Sequence, residues 1–318
     1  MRRPALAALL LALLLAEPAP VDSRAKKRDK KPRRGAEATA PGAYEYDASG
    51  CSAAWERGPE RLRLGRCDFD EVDAADFSPG EFTRRFSLRR PLVVRNSSAN
   101  RRARDFLAKR CEVLRRYGSV GVDLGDPFSL AKQGRTAQRM SLGAYLELDF
   151  SPARPLYMFD RGGSWTKSMG AFDELLEHPP SVSLAPQPQE QIIFAIGRTG
   201  SGIGFHQHAD AWNQVLVGEK RWTVYPRGVP PSAGYNPSIP HATWLATVLP
   251  TLSSDAKPME CMQGPGDIVY VPSGWVHATI NVGDTAAIAL QARTYAPQSA
   301  RFKGNLSKVM MHEAKTQL

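Results

Sequence analysis

Gly204-Phe205-His206-Gln207-His208-Ala209-Asp210 places three residues able to ligate a transition metal within five positions. Along an extended strand residues i and i+2 point to the same face. His206 with His208, or His208 with Asp210, can therefore grip one ion together. A third ligand must come from another strand, and His277 is the candidate, ending the run Gly266-Asp267-Ile268-Val269-Tyr270-Val271-Pro272-Ser273-Gly274-Trp275-Val276-His277. Two imidazoles and one carboxylate with open coordination positions are the ligand set of non-heme Fe(II) oxygenases. The chain holds 6 histidines in 318 residues, and half of them belong to this set.

The elements that must carry these residues are strands. Gln191–Ile196, Trp212–Val217, Arg221–Tyr225, Asp267–Val271, His277–Val282 and Ala286–Ala292 are β-rich runs bounded by Gly/Pro turns, the pattern of a sandwich or small barrel. The first half is mixed. Ser78-Pro79-Gly80-Glu81 opens a helix running to about Phe86, with Ser at the cap and Pro at the first position. Arg90–Arg95 and Ser119–Leu124 are predicted strands, and Ser141–Leu148 and Phe172–Glu177 predicted helices. A single basic amphipathic helix is predicted over Arg101–Tyr117, with Phe106, Leu107, Cys111 and Leu114 on its apolar face and its arginines in solvent. The fold class is mainly β with N-terminal helices buttressing a barrel.

The runs Thr199-Gly-Ser-Gly-Ile-Gly-Phe-His206, Ala211-Trp-Asn-Gln-Val-Leu-Val-Gly218-Glu-Lys220-Arg-Trp222-Thr-Val-Tyr-Pro226 and Gly274-Trp-Val-His277-Ala-Thr-Ile-Asn281 resemble a jumonji-C (JmjC) domain. The similarity reaches upstream through Phe82–Val94 and Phe106–Tyr117, covering residues 67–295. The resemblance implies a double-stranded β-helix, a cupin-like jelly roll, holding Fe(II) and 2-oxoglutarate. It puts Lys220 on the far carboxylate of 2-oxoglutarate, a task suited to a compact ammonium, and Asn213 and Asn281 around the same pocket. It also implies an oxygenase, of the protein-hydroxylase kind, working on a protein substrate or partner in the secretory pathway.

The chain departs from the family pattern in one respect. Counted back from Gly218, His206 and His208 occupy the spacing of the family's His-x-Asp pair, giving three imidazoles and no carboxylate. Such a shell leaves Fe(II) with one more positive charge than the usual one. Asp210 forms a true His-x-Asp with His208 two residues out of register, which a β-bulge would accommodate. His206, His208 and His277 are the expected ligands, with Asp210 the alternative. Loss of the standard carboxylate makes a catalytically inactive JmjC-fold binding or regulatory partner the competing reading.

Charge first suggests nucleic acid, since the net charge is +10 and the pI about 9.6. Residues 1–34 carry +7 of it, and the remaining 284 residues only +3. Met1-Arg2-Arg3 followed by the apolar run Ala5–Ala16 and small residues to Ser23 reads as a secretory signal peptide over residues 1–23, cleaved between Ala16 and Ser23. Its 12 apolar residues fall short of the roughly 20 that span a bilayer, and no later segment has that length. Residues 24–43, opening with eight basic residues in eleven, read as a disordered basic linker. A nuclear address conflicts with such a leader, so no nucleic-acid role is expected. Localisation in the endoplasmic reticulum lumen or secretion follows, and the family's association with that lumen agrees. Cys51 and Cys67 flank a short Arg-rich segment, and a local disulfide between them would close a 17-residue loop; the sequence leaves three pairings of the four cysteines open, with Cys111 and Cys261 equally readable as buried free thiols. Asn96-Ser-Ser98 and Asn305-Leu-Ser307 are glycosylation sequons. The expected layout is residues 44–190 as the N-terminal helical and strand part, 191–296 as the barrel core, and 297–318 as a C-terminal helix or tail.

Overall fold

The computed structural model describes residues 46–125, 138–148, 155–160, 176, 190–231, 236 and 238–292. The expected leader (1–23), basic linker (24–43), helix at 172–177 apart from Leu176, sequon at Asn305 and tail at 297–318 lie outside the described residues. In chain order the main elements are β1 (Asp70–Asp73), α1 (Pro79–Arg85), β2 (Leu92–Arg95), α2 (Arg101–Leu107), α3 (Arg110–Tyr117), β3 (Gly121–Gly125), β4 (Gln138–Ser141), α4 (Leu142–Glu147), β5 (Tyr157–Asp160) and β6 (Glu190–Gly197). They continue with β7 (Gly202–His206), β8 (Ala211–Tyr225), α5 (His241–Thr247), β9 (Met259–Gln263), β10 (Ile268–Val271) and β11 (Val276–Ala292). No helix among the described residues is long and apolar enough to cross a membrane.

The strands run in the order β1-β2-β10-β8-β11-β6-β5-β3-β4, with β7 paired to β11 and β9 to β8. Two long strands organise this sheet. β8 has 15 residues and β11 has 17, and they pair antiparallel along most of their length, with register shifts between Val282 and Ala287. The Gly positions that read as strand ends in the sequence are bends inside these strands. Gly218 (φ 76°) and Gly283 (φ 86°) hold left-handed backbone that costs glycine little. A Cβ on Gly218 would run into the carbonyl of Asp284 and the side chain of Thr285. One ladder thus folds over itself into two layers, a cupin-like jelly roll. The expected pairs Trp212–Val217 with Arg221–Tyr225, and His277–Val282 with Ala286–Ala292, are each one bent strand.

Alternation assigns the two faces. On β11, Ala278 and Ile280 point outward, where they pack with Phe205, Tyr225, Trp244 and Leu245 under α5. On β2, Leu92 and Val94 meet Phe82 and Phe86 of the α1 region, whereas Val93 points inward to Trp222, Val224, Val269 and Val271. The largest cluster joins α2, α3 and α4 to the outer faces of β6, β8 and β11 through Leu107, Leu114, Tyr145, Phe194, Leu216 and Ile288. Trp212 and Tyr270 lie in the outer α1 cluster and Trp275 in the inner apolar one.

Two expectations are corrected. The helix predicted over Arg101–Tyr117 breaks at Ala108–Lys109 into α2 and α3. There the carbonyl of Leu107 accepts from Trp55 Nε1 at 2.7 Å, and Arg110 turns inward to the carbonyl of Ser52 at 3.0 Å. The local Cys51–Cys67 disulfide is not formed: the sulfurs pair as Cys51 with Cys111 and Cys67 with Cys261. The intervening segment does not curl back on itself. Its start is docked on α2 and α3 by the contacts just named, Arg57 bridges to Gly283, Arg63 reaches Glu219, and Asp68 pairs with Glu260 of β9.

Unreduced peptide mapping is expected to recover Cys51 linked to Cys111 and Cys67 linked to Cys261; a Cys51–Cys67 peptide would contradict this pairing. Gly218→Ala is expected to destabilise the fold by about 1–3 kcal/mol, read from urea unfolding, because the residue must keep a left-handed conformation against the Asp284–Thr285 backbone.

Candidate metal centre

His206 ends β7 and sits in register opposite His277 of β11. The ladder shifts by a residue between His277 and Thr279. Ile203 faces the inner Tyr157–Ala195 cluster, yet Phe205 faces α5, so the irregularity lets His206 turn back inward. His208 follows in the short connection to β8. The ring centroids are 5.3 Å apart for His206–His208, 4.3 Å for His206–His277 and 4.6 Å for His208–His277. One ring nitrogen from each lies within 4.8 Å of the others. His277 is buried, while His206 and His208 are half-buried.

The other ring nitrogens decide what these three can do. Nδ1 lies 2.8 Å from the Gly204 carbonyl in His206, 2.7 Å from the Ala209 carbonyl in His208 and 2.9 Å from the Trp275 carbonyl in His277. A carbonyl only accepts, so each Nδ1 carries a proton and donates, which leaves Nε2 as the nitrogen able to bind a metal. Orientation by a backbone carbonyl is how metal-binding imidazoles are commonly fixed. His208 Nε2 and His277 Nε2 stand 3.1 Å apart, close enough to face one ion. Burial, followed by the neighbouring His206 and His208, pushes the His277 pKa well below the usual histidine range, which keeps it a neutral ligand. Three imidazoles gathered in this way suit a divalent first-row transition metal.

Asp210 does not join this group. Its Oδ1 accepts from the Tyr270 hydroxyl at 2.6 Å and from the Ser273 amide at 2.9 Å. Among the described residues the metal-competent cluster is His206, His208 and His277, and the alternative His208/Asp210/His277 shell is not assembled. The bulge falls within β7, between Ile203 and His206, rather than within 208–210.

Lys220 of β8 pairs in register with Asn281 of β11, four residues along from His277 on the same inward face. Its Nζ donates to Asn281 Oδ1 at 2.6 Å and to the Tyr157 hydroxyl at 3.1 Å. Asn281 in turn donates from Nδ2 to Ser201 Oγ at 2.9 Å. No carboxylate meets this ammonium among the described residues, and burial alone pulls its pKa from 10.5 to about 7. A buried cation with only neutral partners fits a ligand that brings its own negative charge. Asn213 lies further along β8, opposite Ala289 and Val269, outside the Lys220 hydrogen-bond group. Its buried Oδ1 has no hydrogen-bond partner in the structure. Asn96 is exposed on a turn and donates to Asp73 Oδ2 at 2.6 Å.

Tyr157 was not among the residues singled out from the sequence. It comes from β5, more than sixty residues before Lys220, and only the β5–β6 pairing brings it in. Alternation within Tyr157-Met158-Phe159-Asp160 was its one available signal.

Residues 196–291 match the family model described as JmjC domain, hydroxylase. This segment is similar to a JmjC domain. Its span contains all three histidines, Lys220, Asn213 and Asn281, whereas Tyr157 is supplied from outside it. JmjC proteins are typically dependent on iron and 2-oxoglutarate, and the imidazole cluster beside an unneutralised lysine fits both. Similar proteins include human JmjC domain-containing protein 8, 29% identical over 224 residues that cover 68% of this chain and 80% of that one. Another is the bifunctional arginine demethylase and lysyl-hydroxylase psr-1 of Caenorhabditis briggsae, 34% identical over 161 residues, covering 42% of this chain and 39% of that one. Among solved structures, YcfD, a ribosomal oxygenase from Escherichia coli, aligns at 14% identity and a TM-score of 0.42; the match covers 74% of this chain and 56% of that chain.

Lys220 makes stability pH-dependent. Between about pH 7 and 10.5 the unfolded chain holds a proton on this side chain that the folded chain has released, so stability rises with pH across that window. Below about pH 7 both states are protonated and the full burial penalty applies. At about 1.4 kcal/mol per pKa unit the rise is at most a few kcal/mol. Lys220→Met is expected to flatten it in urea unfolding followed across the window.

Proposed function

We propose that this chain is an Fe(II)- and 2-oxoglutarate-dependent oxygenase of the secretory pathway, a protein hydroxylase built on a three-histidine centre. One observation carries the reading: ring nitrogens of three histidines gather within 4.8 Å of one another, while a buried ammonium on the same inward face meets no carboxylate among the described residues. When bound, iron with 2-oxoglutarate and O₂ supplies the oxidising power to insert oxygen into a C–H bond, with release of succinate and CO₂.

The chain's own residues do the rest. His206, His208 and His277 hold the metal as neutral ligands, each ring locked by its Nδ1–H on a carbonyl. Lys220, aimed by Asn281 and Tyr157, binds the distal carboxylate of 2-oxoglutarate, and that carboxylate restores the protonated lysine. The side chain of Asn213, with a buried acceptor in need of a donor, adds a polar contact. Inner apolar residues including Trp222, whose ring lies 6.0 Å from His277, keep water from the reacting region. The half-buried His206 and His208 mark the side from which a protein side chain approaches. A leader-like N-terminus, four cysteines arranged as two pairs and the exposed Asn96 sequon support an endoplasmic reticulum or secreted setting.

A second reading has its own observation. With Asp210 engaged elsewhere, a bound divalent ion keeps both positive charges, because three imidazoles bring none to offset them. A non-catalytic protein that uses the same pocket to bind a ligand or partner is compatible with that charge. Turnover separates the two readings. Purified protein with Fe(II), 2-oxoglutarate and luminal protein extract is expected to form succinate, and His277→Ala to abolish it. Metal and 2-oxoglutarate binding without metal-dependent succinate would favour the binding protein. Lys220→Met is expected to weaken 2-oxoglutarate binding by on the order of 10²-fold, measured calorimetrically with Co(II) in place of iron, since it removes one partner of a buried charge pair.

A further inference from the structure

We propose that Asp210 is a positioning residue, which clamps the loop carrying His208 against the loop that leads into His277. The inference rests on the metal-centre reading above and deepens it.

The three histidines are not equally supported. His206 belongs to β7 and His277 to β11, and the two face each other in a backbone ladder. His208 lies between β7 and β8, outside any strand. Something else must hold its imidazole 3.1 Å from that of His277. Four hydrogen bonds accepted by residues 208–210 do so. The His208 carbonyl accepts from the Gly274 amide at 2.9 Å. Asp210 Oδ1 accepts from both the Ser273 amide at 2.9 Å and the Tyr270 hydroxyl at 2.6 Å. The Asp210 carbonyl accepts from the Ala292 amide at 3.0 Å, at the far end of β11. The Tyr270 hydroxyl is itself fixed, accepting from the Leu88 amide at 3.0 Å.

The same loop, Pro272–Trp275, runs directly into His277 and supplies the Trp275 carbonyl that orients its ring. Asp210 therefore ties together the backbones that carry two of the ligands. This accounts for an acid two residues past the expected position: it reaches the Tyr270 hydroxyl and the Ser273 amide instead of the ion. A side chain acting as a clamp needs to accept two hydrogen bonds, and an amide oxygen can do that. A side chain acting as a ligand contributes its charge, and an amide cannot replace that.

The test compares Asp210→Ala, Asp210→Asn and Tyr270→Phe in the full chain, with Co(II) alone as probe. Ligand-field absorption of Co(II) reads affinity and coordination, and hydrogen exchange at the Gly274 amide reads the loop contact without metal. Asp210→Ala is expected to weaken Co(II) binding by about 10–100-fold and to speed Gly274 exchange. Tyr270→Phe moves both in the same direction by less. Asp210→Asn keeps the wild-type Co(II) spectrum and affinity and the wild-type exchange. Equal loss in the Asn and Ala variants with an altered Co(II) spectrum would make Asp210 a ligand and overturn the proposal, as would wild-type behaviour of Asp210→Ala. If the wild-type chain takes up no Co(II), the metal reading fails, and Gly274 exchange alone decides: faster in Asp210→Ala supports the clamp, unchanged overturns it.

Discussion

β11 is hydrogen-bonded along one edge to β7 and then β6, and along the other to β8, so its register against all three sets what stands opposite what. His277 meets His206 on one side, and Asn281 meets Lys220 on the other. Both halves of the site therefore hang on a single strand, in which residues 277, 279 and 281 point inward and 278 and 280 outward. A slip by one residue would turn His277 and Asn281 toward the apolar cluster around Trp244 and bring Ile280 into the interior. Each buried polar group stranded that way costs about 1–3 kcal/mol. The outward packing of Ala278 and Ile280 under α5 holds the register against that slip. Hydrophobic packing on one face thus positions polar chemistry on the other.

The electrostatics of the interior follow from what is missing there. Along this inward face lie three imidazoles, an amide, a phenol and an ammonium, with no carboxylate among the described residues in contact with them. Carboxylates do exist nearby, but each is committed. Asp210 serves the Tyr270 hydroxyl and the Ser273 amide, Glu260 is paired with Arg221 at 2.7 Å, and Asp284 with Arg198 at 3.2 Å. The barrel is consequently deficient in negative charge, and an anionic metal chelator is the kind of guest that corrects it. The same deficiency separates this domain from a shell that contains its own carboxylate, and it keeps a purely binding role in contention.

Much of this was legible from residue types and spacing. His206, His208 and His277 stood out because imidazoles are few in the chain and two of them alternate. The β-rich runs, α1 and α4 follow from alternation and capping signals, and Ser141 Oγ does accept the Ala144 amide. Other features were not legible, for identifiable reasons. Gly218 and Gly283 read as strand ends because glycine signals a turn whether a strand stops or only bends. The break between α2 and α3 depends on Trp55 and Arg110 binding backbone that an isolated amphipathic helix would leave to itself. Tyr157 carries no motif, and its place beside Lys220 comes only from the β5–β6 ladder.

The sequence by itself determined the kinds of donor present and the face of the strand on which each could lie, because alternation is a local property of an extended chain. It also determined that a carboxylate is absent from its usual place. Only the tertiary structure decided which histidines share a point in space, that Cys51 meets Cys111 rather than Cys67, and that Asp210 spends its oxygen on Tyr270 and Ser273. Those outcomes depend on which distant segments become neighbours, and that is set by the summed packing of both sheet faces. Spacing along the chain carries no record of it.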